Sequence, residues 1–89
     1  MSVTYRIYTE DKNRKGIIGT ITPHFISFSL FEGTGYWQGE GEKSLVIEII
    51  TECNGGKDQI IQDIASDIKF INNQQAVIIT KSSTHYIEI

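Results

Sequence analysis

The chain has 89 residues, 39% of them hydrophobic, and a formal net charge of −3 at pH 7. That length suits one domain, residues 1–89, of ordinary globular composition. Disorder is therefore excluded, and the negative charge disfavours nucleic acid as a partner. A single cysteine excludes an internal disulfide and a cysteine-built zinc cage, and no apolar run nears the ~18–20 residues of a membrane helix.

Isoleucine supplies 17 of the 89 residues. Its β-branched side chain suits a pleated surface, so a substantial sheet is expected. The first predicted strand is Val3–Thr9, with Val3, Tyr5 and Ile7 on one face. No signal-peptide core precedes or overlaps it, which points to a cytoplasmic protein. Ile17, Ile18, Ile21 and Phe25 follow at helical spacing, with Asp11 as N-cap and Pro23 ending the helix near Ile21. Ile26–Gly33 reads as the second strand, with Ile26, Phe28 and Leu30 sharing a face. Gly33–Glu42 holds four glycines and two aromatics and reads as a loop or distorted hairpin tip. Lys43–Glu52 is the third strand, placing Leu45, Ile47 and Ile49 on one face.

After a turn at Cys53–Gly56, the isoleucines at 60, 61, 64, 68 and 71 predict a helix over Lys57–Ile71. Asn72 and Asn73 can take the left-handed conformation that ends it. Two last strands, Gln75–Lys81 and Thr84–Ile89, are expected around a Ser82-Ser83 turn. The order is βαββαβ, an α+β ferredoxin-like two-layer sandwich with an extra C-terminal strand. Helices cover one face of such a sheet. The other face would carry Tyr8, Phe31, Val46 and Ile50, plus Val77 or Ala76 and Ile78 depending on register, too apolar to stay open, so an oligomer is expected.

The stretch Gly33-Thr34-Gly35-Tyr36-Trp37-Gln38-Gly39, followed by the Lys43–Ile50 strand, resembles the nitrogen-regulatory PII signalling family and its CutA relatives. Those proteins open their long T-loop with Gly-x-Gly-x-x-x-Gly. The resemblance implies a homotrimer, with a dimer as second choice, whose ligands sit in clefts between subunits. It further implies a nucleotide or nucleotide-derived signal as ligand. Here the T-loop is cut to Gly39–Glu42, the family's basic phosphate-binding residues lack a counterpart, and Trp37 stands in place of the loop glutamine. Signalling by loop insertion into a partner is therefore not expected.

The expected ligand-binding residues are Gly33, Gly35, Tyr36, Trp37, Gln38, Gly39 and Arg6. Glycines let backbone amides approach a ligand closely, and aromatic rings stack bases. The same loop can instead be a hairpin whose rings fill a subunit interface. The basic run Lys12–Lys15 reads as a solvated face, with phosphate contact as its other use. His24 and His85 fit no metal motif, and Cys53 reads as an idle thiol. No Gly-x-Ser-x-Gly elbow, P-loop or Cys-x-x-Cys is present, so no enzyme, cofactor or metal site is expected. The function that fits is a sensor or a sponge that sequesters the signal, the latter suited to a phage anti-defence protein. The alternative is a structural or protein-interaction oligomer with no ligand.

Overall fold

A computed structural model describes residues 1–89. Its elements are β1 (Ser2–Glu10), α1 (Arg14–Ile21), β2 (Ser29–Trp37), β3 (Glu40–Glu52), α2 (Lys57–Asn72) and β4 (Ile78–Thr84). The four strands form one antiparallel sheet in the order β2-β3-β1-β4. Both helices lie on one face, giving the expected ferredoxin-like α+β sandwich.

The core follows from period-two strands meeting period-3.6 helices. Val3, Tyr5, Ile7, Leu45, Ile47 and Ile49 from the sheet bury against Ile17, Ile21, Ile61, Ile64, Ala65 and Ile68. Ile26 departs from expectation. It is fully exposed, because β2 begins only at Ser29, where Glu48 becomes available as a partner. Phe28, Leu30 and Ile60 are partly buried against the core, while Ile71 is exposed.

Asp11 does not cap α1. Asn13 holds that position with φ 55° and makes no side-chain cap. Its amide instead donates to the Ile71 carbonyl at 3.3 Å and to Asn72 Oδ1 at 3.1 Å, tying α1 to the end of α2. Asp11 accepts from Arg14 at 2.6 Å. The end of α2 is as the sequence predicts. Asn73 is left-handed at φ 52°, and the amides of Asn73 and Gln74 return to the Phe70 and Lys69 carbonyls.

The two expected final strands are a single one. Ser82 and Ser83 pair with Thr4 and Val3 inside β4 rather than making a turn. The extra C-terminal strand is absent, since His85–Ile89 take no regular structure. The cause is supply of partners: β1 offers pairing only as far as Ser2, opposite Thr84. No helix is long and apolar enough to cross a membrane.

Candidate functional site

Of the two readings of Gly33–Glu42, loop or hairpin tip, the structure shows the hairpin, and its two arms are ordered strand. β2 and β3 pair without a break from Ser29↔Glu48 to Trp37↔Glu40. Gln38 at φ 50° and Gly39 at φ 81° make the two-residue turn. Positive φ at both central positions matches the right-handed twist of the strands, which is why a residue with no Cβ sits at 39. β1 pairs with β3 no further than Glu10↔Ser44. One further main-chain bond, from Asp11 N–H to the Lys43 carbonyl at 3.0 Å, follows, and the three pairs from Gly35↔Glu42 to Trp37↔Glu40 overhang the body as a two-stranded arm.

Alternation along the arm separates its aromatics. Phe31, Gly33, Gly35 and Trp37 point to the sheet face without helices, and Tyr36 to the other side. Tyr36 and Trp37 therefore cannot sandwich one planar ligand from a single arm. Tyr36 lies over Gly41, where an added Cβ would sit 3.1 Å from the ring carbon Cε1. Both rings stay largely exposed, Tyr36 at 75% and Trp37 at 63%. A shallow open concavity at the tip is lined by Trp37, Gln38, Glu40, Gly41 and Glu42, without a basic residue.

Arg6 is not brought to this arm. It projects from the middle of the open face and pairs with Glu48 at 3.0 Å. From Glu48 to Glu40, the partner of Trp37, is eight residues along β3, roughly 27 Å. The structure thus groups Gly33, Gly35, Tyr36, Trp37, Gln38 and Gly39 along the end of β2 and its turn and leaves Arg6 apart.

The open face carries an apolar row. The register aligns Phe31, Val46, Tyr8 and Ile78 across all four strands. Phe31 and Ile78 are more than half exposed, and Ile50 nearly so. The sequence placed all of these there, but Val77, offered for the same face, instead packs partly buried against the core.

Two of the three cations in the basic run beside α1 are paired. Lys12 pairs with Glu10 at 3.0 Å, and Arg14 with Asp11 at 2.6 Å and Glu32 at 2.7 Å. Asn72, fully buried, has its amide shared among Thr9 Oγ1, the Glu10 carbonyl and Gln74 Oε1. This network latches the end of α2 to β1.

One cluster escaped the sequence reading. The buried Tyr5 hydroxyl donates to Asp58, and Lys81 Nζ lies 3.0 Å from the same carboxylate. The Lys81 ammonium also stands 5.7 Å from the Tyr5 ring centroid. The Tyr5 hydroxyl and then Lys81 hold the Asp58 carboxyl below the usual range. Asp58 in turn raises Lys81, and burial, followed by Asp58, raises the Tyr5 phenol. Ile61, Gln62 and Ile79 border the cluster. Tyr5 and Asp58 are 53 positions apart, and no local pattern signals their meeting.

No protein-family model matches the chain, and no curated protein matches it in sequence. Solved structures do match in shape. A phage SAM lyase in complex with S-methyl-5'-thioadenosine is 18% identical, with TM-score 0.62 over 91% of this chain and 80% of that one. CPII, a nitrogen regulatory PII-like protein from Thiomonas intermedia K12 bound to ADP, AMP and bicarbonate, is 5% identical. It gives TM-score 0.64 over 97% of this chain and 96% of its own. The periplasmic divalent cation tolerance protein CutA from Archaeoglobus fulgidus is 10% identical, with TM-score 0.65 over 99% of this chain and 88% of that one. At such identities the likeness is one of backbone, and the βαββαβ order and antiparallel sheet described above are what is shared: the chain has the ferredoxin-like fold of the PII-like and CutA proteins.

Proposed function

We propose that the chain is a self-associating binding protein for a small nucleotide-like molecule, with the ligand held between subunits against the arm. The observation that carries this reading is the sequence of side chains along β2 on the open face. Phe31 and Trp37 flank Gly33 and Gly35, so a stretch of bare backbone lies between two rings. A planar group can lie against such a strand, stack on Trp37, and meet the turn amides of Gln38 and Gly39. Tyr36, on the opposite side, serves the site by holding the arm over Gly41. Arg6 is too distant from Trp37 of its own chain, so it would serve a ligand bound to a neighbouring subunit's arm.

Two fold neighbours support an adenine-containing ligand, one bound to ADP and AMP and one to S-methyl-5'-thioadenosine. A homotrimer is the preferred assembly and a dimer the second. The role is that of a sensor or a sequestering sponge, of use to a phage against nucleotide-signalled defence, and it is one of binding rather than catalysis.

The test is native mass spectrometry of the purified protein together with a thermal-shift screen. The panel holds adenine nucleotides, cyclic dinucleotides, ADP-ribose, S-adenosylmethionine and S-methyl-5'-thioadenosine. A true ligand at a hundredfold excess over its Kd adds ~2.7 kcal/mol of stability. Trp37→Ala should abolish that shift. Turnover of a panel member, seen as new masses, would replace binding with catalysis.

A second reading rests on the exposure of both rings on an arm with nothing covering either face. There the arm is an interface element only. It holds if no compound stabilises the wild type while Trp37→Ala dissociates the oligomer.

A further inference from the structure

The tip of the arm carries an uncompensated negative charge on the same face as its tryptophan. In the β2–β3 register Glu40 stands opposite Trp37, and Glu42 stands opposite Gly35. Both carboxylates therefore project from the face on which Trp37 lies, about 7 Å apart along β3. Lys43, the nearest cation in sequence, is paired with Thr34 and points to the other side. Six ion pairs form in the chain, and neither Glu40 nor Glu42 takes part in one. Gly35 brings no side chain to the space beside Glu42, which leaves the ground between the two carboxylates and the indole open.

This arrangement discriminates among ligands by charge. The concavity at the tip, of about 420 Å³, has room for one nucleoside, since small-molecule sites span ~300–1,000 Å³. Within it a phosphate would meet two carboxylates and no lysine or arginine. A hard metal ion would be short of ligands. Calcium and magnesium take about six oxygens or more, and no third histidine, cysteine or carboxylate joins the pair. A flat ring that bears a positive charge, in contrast, finds a partner in every group present. The indole offers it a negative π face, the best of the aromatic side chains for a cation. The two carboxylates offer countercharge and acceptors for N–H groups on the ring's edge.

From these observations we infer that the arm selects a cationic heteroaromatic ring, as in a methylated purinium or a pyridinium nucleoside, through Trp37, Glu40 and Glu42. The ring stacks on Trp37. Glu40, directly across the hairpin, and Glu42, one strand repeat further from the turn, balance its charge. Any phosphate on such a ligand lies away from the tip.

The inference rests on the binding reading above and adds the charge of the ligand, and one experiment separates the two. Trp37 is the only tryptophan of the chain, so its fluorescence reports the site directly. The full-length protein is titrated with two matched pairs, 1-methylnicotinamide against nicotinamide and 7-methylguanosine against guanosine. The buffer is weakly acidic, so that 7-methylguanosine keeps its positive charge. Within each pair the ring system is the same and only the first member is a cation. The cation should bind roughly tenfold or more tighter than its neutral partner, and added salt should narrow the gap. In the double variant Glu40→Gln, Glu42→Gln the preference should fall to about twofold or less, with the neutral compounds unaffected. Both side chains are exposed and lie outside the core, so the fold is retained. Glu42→Lys should abolish the preference outright. Equal affinity within each pair, or a preference that survives the double substitution, overturns the charge selection and leaves binding at Trp37 standing. A response to neutral or phosphate-bearing compounds alone does the same. Silence of Trp37 toward both pairs and toward the whole nucleotide panel overturns both readings.

Discussion

Ile47 shows how much a single position states about this protein. It sits on the third strand opposite Ile7 and Leu30, and it is completely buried. Ile47→Ala should cost roughly 2–5 kcal/mol, read as a lower denaturant midpoint. A midpoint equal to that of the wild type would mean the wrong face of β3 had been assigned to the core. That face was legible because alternation in a strand is local. The Tyr5–Asp58–Lys81 cluster was not, since its members come from β1, α2 and β4 and meet only when the layers pack. It makes its own prediction. Asp58 titrates below its ordinary 3.8, so its contribution to stability is present above that pH and fades as pH falls through the folded-state value. Lys81 and Tyr5 titrate above their ordinary 10.5 and 10.0, so theirs is present below those values and fades as pH rises through the raised ones. Melting temperature should therefore decline at both extremes. Asp58→Asn should flatten the acid limb; parallel acid limbs in variant and wild type would show that the carboxylate contributes nothing.

Among the elements, α2 was read most completely and the β2–β3 arm least. Five isoleucines at helical spacing and an Asn-Asn stop define α2 within one residue of its observed end. The arm hid behind its glycines, which lower strand preference and mimic a loop. What makes it a hairpin is the turn: Gln38 and Gly39 both take positive φ, with Gly39 supplying the position most easily. A two-stranded ribbon in water is marginal alone, so the turn should control it. Gly39→Val, forced to φ 81°, should cost the arm about 1–2 kcal/mol. Gln38→Asn, better suited to φ 50°, should strengthen it. Amide exchange of 35–42 is the measurement, with the body of the sheet as internal reference. Equal exchange in both variants would mean that contacts other than the turn hold the arm.

At the scale of the whole molecule, the unpaired surfaces dominate. One sheet face is covered by two helices and the other carries the row Phe31–Val46–Tyr8–Ile78. With extents of 39 × 22 × 20 Å the molecule is elongated by its arm and holds few residues that are fully buried. Burying the open face against further copies would enlarge the apolar core without lengthening the chain. Val46→Asp places a charge in the centre of the row and should weaken association by on the order of 2 kcal/mol or more while leaving the far-ultraviolet circular dichroism unchanged. Sedimentation velocity at micromolar protein reads the outcome. An unaltered oligomer would show that the row lies outside the interface.

The two helices, most of the helix-facing core and most of the second apolar face were legible in the sequence alone, because each depends on periodicity over fewer than about 16 residues. Where each strand ends was decided by tertiary structure, because a strand lasts only while a neighbour offers hydrogen bonds. That rule starts β2 after Ile26, carries it through the glycines to Trp37, runs β4 across Ser82 and Ser83, and leaves His85–Ile89 unpaired. It also governs the candidate site. Once Gly33–Trp37 is strand rather than loop, the pleat must send Tyr36 and Trp37 to opposite faces, and the register must place Arg6 eight residues along β3 from the arm's last pair.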